Sequence, residues 1–197
     1  MLRDYFNSRA DIWDEQVAEK DKDKLKRLAQ KLELAPGSVI LDVGSGTGIF
    51  LPWLLKCIGR QGKVVALDIA EEMLARSMDK HLGENIEYLN ADIADIPLDD
   101  DMFDSVICYS SFPHFQDKPK ALAEMKRVLK KGGRVFVCHS SSREHINTIH
   151  RDIPEVRDDL LPDLEDMNLL LSDAGYHSIY IEEDSESYFA RAIKPEL

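Results

Sequence analysis

Positively charged side chains are well outnumbered by negatively charged ones in this sequence. Its 197 residues include 25 Lys and Arg against 37 Asp and Glu, which gives a formal net charge of −12. Such an acidic surface repels polyanions, so we expect no nucleic-acid partner. No apolar run reaches the length of a membrane span, and residues 1–7 lack the apolar stretch of a signal peptide. We therefore expect a cytoplasmic protein without a membrane-spanning segment.

Cysteines are also few, and their spacing does not suggest a disulfide or a metal-binding pair. Cys57, Cys108 and Cys138 are odd in number, lie in apolar runs and form no C-x-x-C motif. This argues against a disulfide framework or a thiolate zinc site and favours three buried thiols in a reducing compartment. The sequence has no internal repeat and no low-complexity linker, which favours a single domain over residues 1–197.

Glycine is concentrated in one short segment, where residues 41–48 read Leu-Asp-Val-Gly-Ser-Gly-Thr-Gly. An apolar run over 38–41 precedes this loop and a helix-like run over 49–56 follows it, and strand, glycine loop and helix together form a ligand loop. The spacing is G-x-G-x-G instead of the dinucleotide spacing G-x-G-x-x-G, and Asp42 would repel a pyrophosphate. A cationic nucleoside without phosphate fits better, and S-adenosylmethionine carries a sulfonium and an amino group. Alternatively, Asp42 bonds only the amides of its own turn.

The rest of the chain alternates between strand and helix patterns. This predicts an α/β fold: a doubly wound, seven-stranded, mostly parallel sheet with an antiparallel last strand and helices on both faces. The last two strands must pair antiparallel because only four or five residues connect them. The predicted strands are 38–43, 63–67, 86–89, 105–109, 134–138, 177–182 and 188–193. The predicted helices are 21–34, 49–56, 70–81, 119–130, one starting at the capping box 141–144 and running to about Arg151, and 162–174. Pro52 lies late for the first turn of its helix, so we expect one lost backbone hydrogen bond there.

Six segments in this order resemble the class I (Rossmann-like) S-adenosylmethionine-dependent methyltransferases, in the broad group that includes the menaquinone and ubiquinone C-methyltransferases. The segments are the loop 41–48, Asp68 at the end of the second strand, Asn90 to Ile93, Phe103 to Tyr109, Leu122 to Gly133 and Ala174 to Lys194. Two features depart from the family: Lys131 stands where proline is common, and residues 139–161 match no known substrate motif. The resemblance implies that the loop holds the cofactor through Asp42, Gly44, Ser45, Gly46 and Gly48.

The resemblance also assigns the remaining cofactor contacts. Asp68 would accept hydrogen bonds from both ribose hydroxyls, and its place at a strand end beside the glycine loop agrees with this. Asp92 would accept from the adenine amino group, with Ile69 and Ile93 as apolar walls of the adenine site. Tyr109 would lie beside the methionine part. The ordinary alternatives are a surface turn for Asp68, a turn cap for Asp92, and core packing for the isoleucines and the tyrosine.

Residues 1–20 resemble the segment that covers the cofactor in relatives. We expect Tyr5, Phe6 or Trp13 to close the site and exclude water, with Tyr5 and Trp13 as substrate contacts. The alternative is a hydrophobic patch that docks a terminal helix. The segment 139–161 would form the substrate side.

Histidines at two strand ends are candidates for substrate chemistry. His114 follows the fourth strand and His139 ends the fifth, so either could be a general base or a substrate contact. Arg143 and His145 are further candidate substrate contacts. A metal site built from His139, His145 and His150 is disfavoured because helix positions five apart lie about 140° apart, so no metal is expected.

These features predict an enzyme that transfers a methyl group from S-adenosylmethionine to a small-molecule acceptor by in-line displacement, with S-adenosylhomocysteine as the product. Such a reaction needs alignment in a dry pocket, and a base only where the acceptor must lose a proton. Two alternatives stay open: a non-catalytic S-adenosylmethionine-binding protein and, less favoured by Asp42 and the glycine spacing, an NAD-type oxidoreductase.

Overall fold

The computed structural model describes residues 2–196 and contains one seven-stranded sheet with eight α-helices in that range. The strands are β1 (Val39–Val43), β2 (Lys63–Asp68), β3 (Ile86–Asn90), β4 (Phe103–Tyr109), β5 (Leu129–His139), β6 (His177–Glu183) and β7 (Tyr188–Ile193). The helices are α1 (Leu2–Asn7), α2 (Ala10–Gln16), α3 (Lys22–Lys31), α4 (Leu51–Ile58), α5 (Glu71–Asp79), α6 (Lys118–Val128), α7 (Arg143–Asp152) and α8 (Leu164–Asp173).

The strands are ordered β3-β2-β1-β4-β5-β7-β6. All neighbours from β3 to β5 pair in parallel, whereas β7 runs antiparallel to both β5 and β6. This confirms the predicted mostly parallel sheet with an antiparallel last strand. The chain order reverses at β1, which lies between β2 and β4. In open sheets of this kind, ligands bind outside the carboxyl ends of the strands at such a point.

The two faces of the sheet carry separate hydrophobic cores. Ile40 points into a core that includes Leu25 of α3 and Leu54 of α4. Its neighbour Leu41 points to the other face, where it shares a core with Leu122 of α6 and with α8. Successive strand residues alternate between faces, so buried strands covered on both sides are apolar throughout. Helices on both faces confirm the doubly wound architecture.

Several boundaries differ from the sequence prediction. α4 begins at Leu51, so Pro52 lies in the first turn, where a backbone N–H has no helical partner; the expected lost hydrogen bond is therefore wrong. α6 ends at Val128, and residues 129–133 join β5 as an irregularity that shifts its register against β4. The oxygen that caps α7 belongs to Ser142, which accepts from the His145 amide.

The cysteines are all free, as expected, but only Cys108 and Cys138 are buried, whereas Cys57 is partly exposed. Within residues 2–196, none of the helices combines the length and the apolar character that a bilayer crossing needs.

Candidate functional site

A cleft of about 550 Å³ opens beside the carboxyl ends of the central strands. The glycine loop and the ends of β2, β4 and β5 form its floor, while α1, α2 and α7 form its outer walls. Most of the residues predicted to contact the cofactor line this cleft: Gly44, Ser45, Gly46, Asp68, Ile69, Asp92, Ile93 and Tyr109.

The three loop glycines have positive φ but differ in their surroundings. A side chain on Gly44 would collide with Ser111, and one on Gly48 would collide with Ser77 of α5. Gly46, at φ +55, has no atom of the described chain within 4 Å of where its Cβ would be. Gly44 and Gly48 therefore let the loop pack against the protein, and Gly48 lies outside the cleft lining. Gly46 leaves space on the cleft side, where a ligand can approach the bare backbone.

Asp68 is 7% exposed and holds two parts of the site together. Its carboxylate accepts 2.8 Å hydrogen bonds from the amides of Gly46 and Ala70. Burial raises the pKa of Asp68, while these bonds and a positive charge on His114 lower it. A carboxylate has about four acceptor sites, so two further hydroxyl groups can still bind to Asp68 from the cleft.

Asp42 lies under the loop, outside the cleft lining, and is 1% exposed. Its two carboxyl oxygens accept no hydrogen bond from any of residues 2–196. The structure therefore does not show Asp42 bonding the amides of its own turn. Burial and the neighbouring Asp68 raise the pKa of Asp42 to about 7. A cation above the loop would lower this pKa and favour the ionised carboxylate.

Just past the carboxyl ends of β2 and β3, Ile69, Asp92 and Ile93 line the cleft wall. One oxygen of Asp92 accepts from the Ala94 amide at 2.8 Å and so caps a turn, and the other oxygen is available to a ligand. Ile93 is buried and Ile69 half-buried, which gives this end of the cleft an apolar character.

Tyr109 ends β4 and is 8% exposed. Its ring stacks on Phe50 with centroids 4.4 Å apart, and its hydroxyl lies 2.8 Å from the Ser140 hydroxyl. Burial raises the pKa of Tyr109 to about 12, so the phenol keeps its proton at neutral pH. Tyr109 therefore both packs in the core and lines the cleft.

The N-terminal helices α1 and α2 cover the cleft, and we call residues 2–20 the cap. Phe6 and Trp13 line the cleft with ring centroids 5.5 Å apart, and the Phe6 ring also lies 5.0 Å from that of His114. Tyr5 is not among the lining residues and packs under the guanidinium of Arg9 at 3.8 Å. The structure thus places Trp13 in the predicted position and Tyr5 outside it.

Ion pairs attach the cap to α5 and the residue that follows it. The pairs are Arg3 with Glu71, Asp11 with Arg76 and Asp14 with Lys80. Asp14 also contacts the Thr47 hydroxyl at 2.5 Å, and Lys80 donates to the Thr47 carbonyl at 2.6 Å. The cap is therefore linked directly to the glycine loop.

The opposite wall contains histidines from α7, from the end of β5 and from the segment that follows β4. His114, His139 and His150 line the cleft, whereas Arg143 and His145 lie outside its lining. Arg143 is ion-paired with Glu183 at 3.0 Å, and His145 is exposed on the outer side of α7. Arg143 lies on the same face of α7 as His150 but seven residues, about 10 Å, earlier along the helix axis, whereas His145 lies about 140° around the helix from His150. The substrate roles of Arg143 and His145 stay predictions.

His150 is a cleft residue that the sequence did not single out over His145. The sequence did contain a pattern that indicates His150: Ile146, Ile149 and His150 recur at helical spacing, and all three line the cleft. Asp159, which contacts His114, lies in an irregular segment without periodicity and carried no such signal. Among residues 2–196, no group of three or more His, Cys, Asp or Glu side chains has the arrangement of a metal site.

Comparisons with known proteins agree with this geometry. Residues 41–137 match a methyltransferase domain family. Ubiquinone/menaquinone biosynthesis C-methyltransferases UbiE are similar: that of Teredinibacter turnerae is 35% identical over 114 residues, covering 56% of this chain and 46% of the relative. That of Vibrio parahaemolyticus is 39% identical over 110 residues, covering 54% and 42%. The chain matches less than half the length of these curated relatives.

Solved structures resemble nearly the whole chain. A SAM-dependent methyltransferase from Aquifex aeolicus is 27% identical with a TM-score of 0.77, and the match covers 95% of this chain and 98% of that one. A phosphoethanolamine N-methyltransferase 2 of Haemonchus contortus, solved with S-adenosyl-L-methionine, is 15% identical with a TM-score of 0.79, covering 99% and 60%, and shares the fold.

Proposed function

Because the chain belongs to the class I S-adenosylmethionine-dependent methyltransferases, we propose that it transfers a methyl group from this cofactor to a small-molecule acceptor. Gly46 carries the proposal: it lines the cleft with open space where a Cβ would be, and its amide donates a hydrogen bond to Asp68. The open space and the carboxylate together suit a ribose and an uncharged or cationic chain, and they do not suit a pyrophosphate.

The residues present fit the cofactor. Bound S-adenosylmethionine supplies an electrophilic methyl group on a positively charged sulfur. Asp68 would hold the ribose hydroxyls, and Ile69 and Ile93 would flank the adenine. The unpartnered carboxyl group of Asp42 supplies negative potential beneath the loop, which stabilises a cation above it.

The acceptor would enter between the cap and α7. Phe6 and Trp13 on one side and Ile146 and Ile149 on the other give this part of the cleft apolar walls. Such walls favour a largely apolar acceptor, and the names of the UbiE relatives make aromatic quinone precursors the first class to test. We propose that the cap and residues 139–161 form the acceptor side of a single domain and exclude water during transfer.

Ligand choice can be tested by thermal unfolding with S-adenosylhomocysteine and with NAD. We expect the adenosyl compound to raise the unfolding temperature and NAD to leave it unchanged, because binding to the folded state alone stabilises it. The converse result would contradict the proposal and favour an oxidoreductase.

A pair of glycine variants isolates the loop. Gly46→Ala and Gly59→Ala introduce the same methyl group at similar positive φ, +55 and +69, and both sites are open. Gly59 also has ψ −172, a conformation almost confined to glycine, so Gly59→Ala tests whether backbone strain away from the cleft affects binding. Of the two positions, only Gly46 adjoins the cleft. We expect Gly46→Ala to weaken S-adenosylhomocysteine binding at least tenfold by calorimetry, about 1.4 kcal/mol, while Gly59→Ala binds like the wild type. Equal affinities of Gly46→Ala and the wild type for S-adenosylhomocysteine would contradict the role proposed for Gly46.

Turnover needs a separate measurement. Labelled S-adenosylmethionine is incubated with 1,4-naphthohydroquinone and with simple phenols and thiols, and label in the organic product is counted. Transfer to any of them supports the enzyme. Tight adenosyl binding without transfer to any acceptor would favour a non-catalytic binding protein.

A further inference from the structure

Three imidazole rings meet at the acceptor end of the cleft. His114 follows β4, His139 ends β5 and His150 lies on α7, and all three line the cleft. The rings of His114 and His150 are 4.8 Å apart. His139 is 3% exposed, and its Nε2 has no hydrogen-bond partner among residues 2–196. An unpaired buried nitrogen beside a cleft calls for a polar group from a ligand.

Asp159 contacts two of these rings. Its carboxylate oxygen lies 3.0 Å from Nδ1 of His114, and its backbone carbonyl contacts Nδ1 of His150. Both of these oxygens accept hydrogen bonds, so each Nδ1 carries the hydrogen and each Nε2 keeps its lone pair. One residue thus sets the tautomer and orientation of two imidazoles.

The segment that carries Asp159 is held firmly. The buried side chain of Asn147 on α7 accepts from the Leu161 amide at 2.8 Å and donates to the Leu161 carbonyl at 3.0 Å. Gln116 donates to the second carboxylate oxygen of Asp159 at 3.3 Å. These contacts fix the Asp159 carboxylate beside His114, so that it can orient the imidazole ring.

Of the three rings, His114 is paired with a carboxylate, that of Asp159. Burial lowers the pKa of His150 and lowers that of His139 to about 3, so both stay neutral at neutral pH. The other ionisable groups that face His114 are Asp159 and, at longer range, Asp68. A neighbouring carboxylate stabilises the imidazolium that forms when a ring accepts a proton, and the Asp159 carboxylate is in place to do this for His114.

We propose that His114, positioned by Asp159, accepts the proton of an ionisable hydroxyl group on the acceptor. This inference rests on the proposed function and names the acceptor class as a phenol or enol. The O–H bond of the acceptor breaks, its electron pair stays on the oxygen, and the lone pair of His114 Nε2 forms the new N–H bond. His139 and His150 line the same cleft, and its apolar walls would hold the ring that carries the hydroxyl group.

The probe for this step is 4-nitrophenol, whose ionised form absorbs visible light and whose neutral form does not. It is titrated into the complex with S-adenosylhomocysteine at a pH where the free probe is mostly neutral. We expect the ratio of ionised to neutral probe to rise about tenfold on binding, which corresponds to about one pKa unit. The methyl ether 4-nitroanisole, which has no proton to give, should bind more weakly.

Three variants locate the base. His114→Gln should return the bound ratio to that of the free probe, and Asp159→Asn, which keeps the shape of the side chain, should lower it. His177→Gln is the matched control, because His177 is exposed at the start of β6, level with Arg134 and so at the end of the sheet opposite the cleft. It should leave the ratio at the wild-type value. Asp159→Asn keeps the test available where His114→Gln does not fold.

Calorimetry with S-adenosylhomocysteine separates this inference from the proposed function. An unchanged ratio in folded His114→Gln, or a bound probe that stays neutral in the wild type, overturns the role of His114 while cofactor binding persists. Absence of S-adenosylhomocysteine binding overturns the proposed function itself.

Discussion

The two halves of the cleft are built in different ways. On the cofactor side, backbone groups of adjacent parallel strands position the ligand groups, and Asp42 and Asp68 are less than a tenth exposed. On the acceptor side, side-chain contacts position the cap, and the pair of Arg3 and Glu71 is half exposed, at 52% and 43%. The fold therefore fixes the cofactor half, whereas side chains that can change without disturbing the core define the acceptor half. Substitutions in the first half should cost stability, and those in the second should change access and acceptor binding.

Asp42→Asn tests the cofactor half with the largest expected effect. The folded-state pKa of Asp42 is about 7 against 3.8 for an unperturbed group, so the folded protein holds a proton that the unfolded chain releases between these values. The stability contributed by that proton is complete below about pH 4 and is lost as the pH rises through 7. Relative to Asp42→Asn, the wild type should lose up to about 4 kcal/mol across this window.

Urea unfolding of both proteins at several pH values measures this difference, and other titrating groups cancel in the comparison. Saturating S-adenosylmethionine should reduce the difference more than S-adenosylhomocysteine does, because only the former carries the sulfonium charge. Parallel pH profiles for wild type and variant would show that Asp42 stays ionised in the folded protein.

Gly44→Ala should destabilise the protein by about 3 kcal/mol. The new methyl group collides with Ser111, whose hydroxyl donates to the Val43 carbonyl at 2.6 Å, and φ at Gly44 is +66. Denaturant unfolding gives the free energy. The double variant Gly44→Ala/Ser111→Gly removes the collision, so the two changes should couple by more than 1 kcal/mol. Additive effects would mean that strain at φ, and not packing, limits this position.

The contrast between the two halves also explains which parts of the site the sequence could predict. The spacing of residues 41–48 and the strand ends at Asp68 and Tyr109 predicted the sheet and the floor of the cleft, because the fold brings strand ends together. The loop pattern did not distinguish Gly46, which faces the cleft, from Gly48, which packs on α5. Both positions have positive φ and look the same in one dimension.

The acceptor side gave weaker signals. Helical periodicity separates His150 from His145 only when the inner face of α7 is known, and the structure identifies that face through Ile146 and Ile149, which line the cleft. Asp159 acts through an irregular segment whose position depends on the Asn147 side chain. Side chains that anchor irregular backbone leave no periodic pattern, so sequence reasoning could not place them.

Phe6→Ala tests the acceptor half and should lower the free energy of unfolding by only about 1 kcal/mol, since its ring is half-buried against Trp13 and His114. The matched core change Leu54→Ala, at a fully buried site on α4, should cost about 3 kcal/mol. Calorimetry of 4-nitrophenol with the S-adenosylhomocysteine complex should show at least threefold weaker binding for Phe6→Ala and little change in cofactor affinity. Equal losses in stability for the two variants would place the cap within the cooperative core.

The smallest effect on global stability is expected for the ion pairs of the cap. The double variant Arg3→Gln/Arg76→Gln removes the pairs with Glu71 and Asp11, which are largely exposed and therefore screened by solvent. Its urea midpoint should match the wild type, but proteolytic cleavage within residues 2–20 should be several times faster. High salt should speed cleavage of the wild type more than that of the double variant, because two of the three ion pairs to α5 and Lys80 are absent from the variant and only Asp14 with Lys80 remains. A salt effect of equal size in both proteins would mean that apolar contacts, and not these ion pairs, keep the cap closed. The cap would then be held by buried packing, as the cofactor half is, and the proposed difference between the two halves would be wrong.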